Sequence, residues 1–313
     1  MNTVQAPAER VIASVERVIV GKHAEVRMAL VALLCEGHIL IEDVPGVGKT
    51  MLAKALSQSI GCQFRRIQFT PDLLPSDVTG LTVFDPQTRE FSFKPGPVFA
   101  HLLLADEINR ATPRTQSALL EAMNEQKVSV DGTTHALPSP FMVIATQNPL
   151  EFTGTYPLPE SQLDRFLMTL RMGYPTLEEE RQILSSRRAA DPIESLKPAL
   201  TVPELLRLCG RVDQVRMDDA LTTYLLDLVH RTRADKALLA GVSPRGALHL
   251  ARAVRAYALV EGRDFATPDD LKAVAVSVLS HRVIERRARG TADGRPSAAQ
   301  VIRKILQETP VPQ

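Results

Sequence analysis

One short segment constrains the fold of this chain more than any other. It spans residues 42–50 and has the sequence EDVPGVGKT. The residues before it, 38–41, form an apolar run that predicts a buried strand, and residues 51–56 predict a helix. A strand, a glycine-containing loop and a helix in this order predict a phosphate-binding loop, and this loop occurs in α/β folds with a mainly parallel sheet.

The residue types in the loop suit an anion. Gly46 and Gly48 have no Cβ, so backbone N–H groups can converge on a phosphate, and the following helix N-terminus adds partial positive charge. Lys49 is expected to reach the β- and γ-phosphates and Thr50 to ligate Mg²⁺. The strict motif has glycine where this chain has Asp43, a position that enters the loop without lining the phosphates. The residues predicted to contact the nucleotide are Pro45, Gly46, Val47, Gly48, Lys49, Thr50 and Met51.

Two further apolar runs end in polar side chains. Residues 100–105 lead to Asp106 and Glu107, and residues 141–146 lead to Asn148. Ligands bind at the carboxyl ends of strands in open α/β sheets. Asp106 is therefore predicted to hold Mg²⁺, Glu107 to polarise an attacking water, and Asn148 to orient that water or contact the γ-phosphate. Without the phosphate loop, a solvated charge pair and an ordinary strand-ending amide would explain these residues equally well.

These segments together resemble the AAA+ ATPases, and their sequences are more similar still to those of the MoxR family. The similarity rests on the phosphate loop, on residues 66–77 (RIQFTPDLLPSD), on residues 106–111 (DEINRA) and on residues 145–149 (ATQNP). It extends over nearly the whole chain. The resemblance implies a parallel five-stranded sheet of order 5-1-4-3-2, an ATP site with Mg²⁺, and a helical lid at the C-terminus.

The resemblance also implies roles for residues that the pattern alone leaves ambiguous. Arg165 matches the arginine finger that reaches the nucleotide of a neighbouring subunit. Arg245 matches the second sensor, expected to act within its own subunit, and it lies in the first turn of a predicted helix with Ser243 as N-cap and Pro244 at the first helical position. Val20 and Gly21 match the segment beside the adenine. Taken alone, Arg165 could equally form a salt bridge on a solvated helix, and Arg245 could be an ordinary surface side chain.

The chain divides by pattern into two predicted domains. Residues 1–175 alternate strands and helices, as in an AAA+ nucleotide-binding core, and residues 176–313 show helical spacing, as in a lid. Two predicted hairpin insertions lie near residues 81–93 and 127–137, the second with an Asp-Gly turn. They are either decoration at the sheet edge or, by resemblance, elements that face a ring pore or a substrate.

Charge and cysteine content limit the remaining possibilities. A net charge of +1 gives no general attraction to nucleic acid, and no apolar run approaches a membrane span. The basic residues Arg282, Arg286, Arg287 and Arg289 are expected to form a solvated helix end. Three widely spaced cysteines, with no signal peptide in the sequence, predict a reducing compartment and cytoplasmic localisation.

The sequence therefore predicts an Mg²⁺-dependent ATPase that hydrolyses ATP to ADP and phosphate. By resemblance it would form a homo-oligomeric ring, taken as a hexamer, and act as a chaperone that matures or activates a client protein or metalloenzyme complex beside a von Willebrand factor A domain partner. Alternatives are the ATPase subunit of a metal chelatase and a DNA-remodelling motor. A nucleotide-dependent scaffold without turnover is disfavoured by the presence of Glu107.

Overall fold

The computed structural model describes residues 5–149, 154–186, 192–286 and 296–311. The chain starts with helices α1 (Gln5–Glu16) and α2 (His23–Leu34), separated by a break in which Gly21 has φ +74°. Strand β1 (Ile39–Glu42) then leads through the phosphate loop into α3 (Lys49–Ile60). Gly61 ends α3 in the left-handed conformation, which glycine adopts without steric cost.

The rest of the first part of the chain builds a sheet with insertions. Its elements are β2 (Phe64–Gln68), α4 (Pro75–Thr79), β3 (Gly80–Asp85), β4 (Glu90–Pro95), β5 (Leu102–Asp106), α5 (Pro113–Glu125), β6 (Lys127–Val130), β7 (Thr133–Ala136), β8 (Met142–Gln147), α6 (Glu160–Leu163) and β9 (Met168–Leu170). Five parallel strands form the sheet in the order β2-β5-β8-β1-β9. Numbered among themselves, they give the predicted order 5-1-4-3-2, which is thereby confirmed.

Both predicted insertions are antiparallel hairpins. Strands β3 and β4 pair from Gly80 with Pro95 to Asp85 with Glu90, and β6 pairs with β7. Asp131 and Gly132 both have positive φ in the second turn, as an Asp-Gly hairpin turn requires. The hairpins contact each other, because the rings of Phe93 and His135 stack with centroids 4.0 Å apart.

The C-terminal part is helical apart from one small ribbon. It contains α7 (Leu177–Ser186), α8 (Val202–Val212), α9 (Asp219–Ala234), β10 (Leu238–Ala240), α10 (Pro244–Val260), α11 (Pro268–Leu279), β11 (Ile284–Glu285) and α12 (Ala298–Glu308). Strands β10 and β11 pair antiparallel. This ribbon was not predicted, because two or three residues are too few to show the alternation of apolar and polar side chains that indicates a strand.

The lid packs on the same side of the sheet as the N-terminal helices. One cluster of buried apolar side chains joins α1, α2 and α3 to α8, α9, α10, α11 and α12. A second cluster fills the other face of the sheet, beneath α5 and the hairpins. Within the described ranges, no helix is long and apolar enough to cross a bilayer.

One expectation about surface charge is wrong. Arg282 was expected on a solvated helix end, but its side chain is only 1% exposed and forms an ion pair with Asp164. The sequence could not reveal this partner, because the two residues are 118 positions apart. Arg287 and Arg289 of the same basic cluster lie outside the described residues.

Candidate functional site

The phosphate loop is shaped for an anion. Gly46 and Gly48 have φ +86° and +94°, and no heavy atom lies within 4 Å of where a Cβ would stand on either residue. No side chain caps the N-terminus of α3. The N–H groups of the first turn are therefore available to phosphate oxygens, and the helix dipole favours negative charge there.

Lys49 lies on this loop among carboxylates. Its ammonium group donates to the backbone oxygen of Asp43 at 2.7 Å. Partial burial lowers the pKa of Lys49, while the charges of Asp106, Asp43 and Glu107 oppose that change. The side chain of Asp43 in turn accepts from the N–H of Gly173 at 2.6 Å, which ties the loop to the start of the segment leading into the lid.

Thr146 contacts both acidic residues at the carboxyl end of β5. Its hydroxyl donates to Asp106 Oδ1 at 2.6 Å and accepts from the backbone N–H of Glu107 at 2.9 Å. Thr146 is fully buried on β8, the strand between β1 and β5. The carboxyl ends of β5, β8 and β1 therefore lie side by side, and a single hydroxyl connects the first two.

Glu107 has the backbone geometry of a constrained position. Its φ is +56°, a left-handed conformation that non-glycine residues rarely adopt. Its carboxylate accepts from Arg110 at 3.2 Å and is 28% exposed, so water can reach it. Such strain persists where the surroundings impose it, and it is concentrated at functional sites.

Asp106 shares its second oxygen with an arginine. Arg66 on β2 donates to Asp106 Oδ2 from Nη2 at 2.7 Å and from Nε at 3.2 Å. This contact was not predicted. The only signal in the sequence was a charged residue in β2. The pairing of β2 with β5, which sets Arg66 beside Leu104 and Gln68 beside Asp106, became visible only in the fold.

The remaining predicted residues lie at the edges of the site. Asn148 follows β8 and is 8% exposed, next to the strand end at Gln147, whose amide donates to Glu42 at 2.6 Å. Val20 and Gly21 lie in the turn between α1 and α2. Gly21 packs so closely on Glu179 of α7 that a Cβ would clash with it. This turn therefore contacts the beginning of the lid.

The oxygen atoms of the site suit Mg²⁺. A hard cation takes oxygen ligands, and the carboxylate of Asp106 and the hydroxyl of Thr50 are ligands of this kind. The 2.6 Å hydrogen bond from Thr146 orients the Asp106 carboxylate. Its ion-pair partner, Arg66, is 48% exposed. The donor set fits the cation, with Thr50 and Asp106 as the protein ligands.

Arg165 lies at the amino ends of the sheet strands, whereas the phosphate loop lies at their carboxyl ends. It precedes β9, and the N–H of Leu167 donates to His38 O at the amino end of β1. The guanidinium of Arg165 donates to Leu120 O of α5 at 3.0 Å. The length of β1, about 13 Å from residue 38 to residue 42, separates it from the loop. Arg165 therefore cannot contact the nucleotide bound by its own loop.

Arg245 lies on the same side as Arg165. Its helix start is as predicted, since the Ser243 side chain caps α10 by accepting from the N–H of Gly246. The guanidinium donates to Asn124 Oδ1 at 3.2 Å, and Asn124 lines a cavity of about 300 Å³ together with Arg165. Asn124 follows Met123, whose carbonyl bonds to His38 at the amino edge of the sheet. In this structure the guanidinium of Arg245 therefore lies away from the phosphate loop of its own subunit.

Comparisons with known proteins agree with this architecture. Residues 38–168 match the model of the ATPase family associated with various cellular activities (AAA), and residues 230–305 match that of an AAA lid domain. A crystal structure of a candidate ATPase from Cytophaga hutchinsonii superposes with a TM-score of 0.89 at 36% identity, covering 99% of this chain and 96% of the other.

Curated relatives narrow the family. The chain is 48% identical to the uncharacterized protein YeaC of Bacillus subtilis, over 97% of this chain and 94% of that protein. It is 43% identical to Chaperone MoxR1 of Mycobacterium tuberculosis, over 97% and 82% of the two chains. It is 32% identical to Protein MoxR of Paracoccus denitrificans, over 87% and 86%. With the phosphate loop, the sheet order and the lid in place, the chain belongs to the MoxR family of AAA+ ATPases.

Proposed function

We propose that this protein hydrolyses ATP with Mg²⁺ in a homo-oligomeric ring and uses the energy to remodel a client protein complex. The observation that carries the hydrolysis is the position of Thr146, whose hydroxyl bonds to the Asp106 carboxylate and to the backbone N–H of Glu107, close to the charge of Lys49. A structural loop without turnover would have no need for a strained, solvent-accessible glutamate at this place.

Each residue of the site has a defined task in this mechanism. The N–H groups of the loop and the ammonium of Lys49 bind the phosphates. Asp106 and Thr50 would hold Mg²⁺, which would supply positive charge against the phosphate oxygens. Glu107 accepts a proton from the attacking water as general base, and Asn148 orients that water. Val20, Gly21 and Met51 border the nucleoside.

The neighbouring subunit completes the site. Arg165 and Arg245 both lie near the amino ends of the sheet strands, away from their own phosphate loop. Both contact α5. We therefore assign both arginines to the nucleotide of the adjacent subunit, where they stabilise charge in the transition state. A ring, which we take as a hexamer, supplies such an interface to every subunit.

The remodelling role rests on the relatives and on one exposed surface. Chaperone MoxR1 gives the class of activity, and we extend to this chain the family's expected partnership with a von Willebrand factor A domain protein. On the first hairpin, Phe84 and Phe91 are 47% and 74% exposed, with ring centroids 5.1 Å apart. Exposed aromatic rings on a protruding hairpin suit contact with a client protein.

The decisive test of hydrolysis compares two variants. Glu107→Gln keeps the side-chain volume but removes the base, so ATP should still bind while turnover falls by about two or more orders of magnitude. Lys49→Ala should instead lose nucleotide binding. Equal turnover by the wild type and Glu107→Gln would refute the assignment. The Glu107→Gln protein, held in its ATP state, is also the bait with which to capture the client.

Mixtures of inactive variants test the two arginines. Lys49→Ala subunits still present both arginines, so mixing them with Arg165→Ala, or with Arg245→Ala, should restore part of the activity. A mixture of Arg165→Ala with Arg245→Ala should stay inactive, because no subunit then presents both. If Arg245 acted within its own subunit, the last mixture would regain activity and the Lys49→Ala with Arg245→Ala mixture would not.

A further inference from the structure

A buried arginine of the lid binds the segment that carries Arg165. Arg282 follows α11, and its Nε donates to Asp164 Oδ1 at 2.8 Å. Its terminal nitrogens donate to the backbone oxygens of Leu167 at 2.9 Å, Asp164 at 3.3 Å and Phe166 at 2.5 Å. The guanidinium therefore holds the chain immediately before and after Arg165.

The same guanidinium lies against the helix that carries Arg245. Arg282 Nη2 is 2.7 Å from His249 Nδ1, one helical turn beyond Arg245. Next to Arg245, a Cβ added to Gly246 would stand 3.0 Å from Cδ of Arg282. Glycine at that position lets the arginine stem pack against the first turn of α10.

Burial determines the charge states of Arg282 and His249. Burial lowers the pKa of Arg282 to about 10 while Asp164 raises it, so the guanidinium stays charged at neutral pH. Burial, and then the charge of Arg282, lower the pKa of His249 to about 4. His249 is therefore neutral and its Nδ1 can accept. An ion pair with Asp164 would need only one nitrogen, yet the planar fork is used to bind several backbone oxygens at once, which a lysine cannot do.

We propose that Arg282 is a positioning residue that holds Arg245, on the lid, in a fixed position relative to Arg165, on the sheet domain, so that one subunit presents both arginines to the nucleotide of its neighbour. This inference rests on the proposed function, in which both arginines act across the interface. Because Arg282 belongs to the lid and Asp164 to the sheet domain, a change of lid position moves the arginine pair and thereby controls hydrolysis in the adjacent subunit.

The experiment places one substitution on either side of the interface. Donor subunits carry Lys49→Ala and supply only the arginines, whereas acceptor subunits carry Arg165→Ala and supply only the nucleotide site. Arg282→Lys keeps the charge beside Asp164 but loses the fork. Since a misplacement of about 1 Å can cost about 10²-fold in rate, Arg282→Lys on donors should reduce the restored activity to about a tenth or less. The same substitution on acceptors should leave it nearly unchanged.

A matched control and two opposite results make the test decisive. Arg252→Lys makes the same change at an arginine of α10 whose side chain contacts Glu36 at 3.5 Å instead of Asp164, and it should show no donor-side loss. Equal loss on both sides, or loss only on acceptors, would mean that Arg282 merely stabilises the lid and would overturn the proposal. If Arg282→Lys does not assemble, His249→Gln, which alters a single contact, is judged by the same asymmetry. Failure of the unmodified donor and acceptor mixture would contradict the proposed function instead.

Discussion

Thr146→Val removes one hydroxyl from the centre of the candidate site while nearly conserving shape. The change deletes the 2.6 Å bond to Asp106 and leaves the N–H of Glu107 without its 2.9 Å acceptor. A lost hydrogen bond to a charged group costs about 1.5–3 kcal/mol, and a buried unpaired donor about 1–3 kcal/mol. The two terms belong to one network and do not add fully, so we expect a loss of about 3 kcal/mol in the free energy of unfolding.

Turnover should respond as well as stability. Without the hydroxyl, the strained backbone at Glu107 loses a contact that holds its carboxylate in place. Misplacing a catalytic group by about 1 Å costs about 10²-fold, so phosphate release at saturating ATP and Mg²⁺ should fall by about one to two orders of magnitude. Urea unfolding followed by circular dichroism, together with phosphate release, measures the two effects on the same samples.

Two control variants separate the hydroxyl from general damage to the sheet. Thr146→Ser keeps the hydroxyl and should retain most of the activity. Thr169→Val makes the same chemical change on the neighbouring part of the sheet, where the hydroxyl makes only contacts of 3.4 Å, and should change little. If Thr146→Val matched the wild type in both assays, or if Thr146→Ser were equally impaired, the assignment of the hydroxyl would be refuted.

Three further substitutions probe other parts of the structure. Gly48→Ala places a side chain at φ +94°, which costs about 1–2 kcal/mol, and should weaken ATP binding measured by calorimetry; unchanged affinity would contradict the loop geometry. Arg66→Gln frees one oxygen of Asp106, so less Mg²⁺ should be needed for half-maximal binding of a fluorescent ATP analogue, and an unchanged requirement would exclude this competition. Burial lowers the pKa of His38 from 6.5 to about 4, so the unfolded state binds the proton more readily. As the pH drops from 6.5 to 4, His38 should contribute a loss of up to about 3 kcal/mol in the free energy of unfolding, besides the loss from His249, whose pKa is lowered in the same direction. His38→Gln should flatten that dependence in urea unfolding, and an equally steep loss would assign it to other groups.

The neutral form of His38 explains the sign of the last prediction. Nδ1 accepts from the N–H of Val143 at 3.0 Å, so Nε2 carries the proton that bonds to Met123 O at 3.1 Å. A second proton on Nδ1 would face the N–H of Val143. The ring therefore joins β8 and α5 only while it is uncharged. Acid should weaken this connection at the amino ends of the sheet strands.

The features that the sequence predicted are local ones. The phosphate loop, Asp106 with Glu107, the Asp-Gly hairpin and the caps of α10 each lie within a few consecutive residues, so residue type and spacing determine their structure. The sheet order came from the resemblance to a family and was confirmed by the strand pairing. The residue roles at the ends of these strands remain predictions that the proposed variants test.

The features that only the tertiary structure decided depend on partners distant in the chain. Arg66 is 40 residues from Asp106, and Arg282 is 118 from Asp164. Helix α10 starts where the sequence predicts, yet the nucleotide that Arg245 can reach depends on how the lid packs against α5. The periodicity of apolar residues shows which face of a helix or strand is buried, but not which residues that face contacts. The energy of a buried ion pair depends on the partner and on the geometry of the contact.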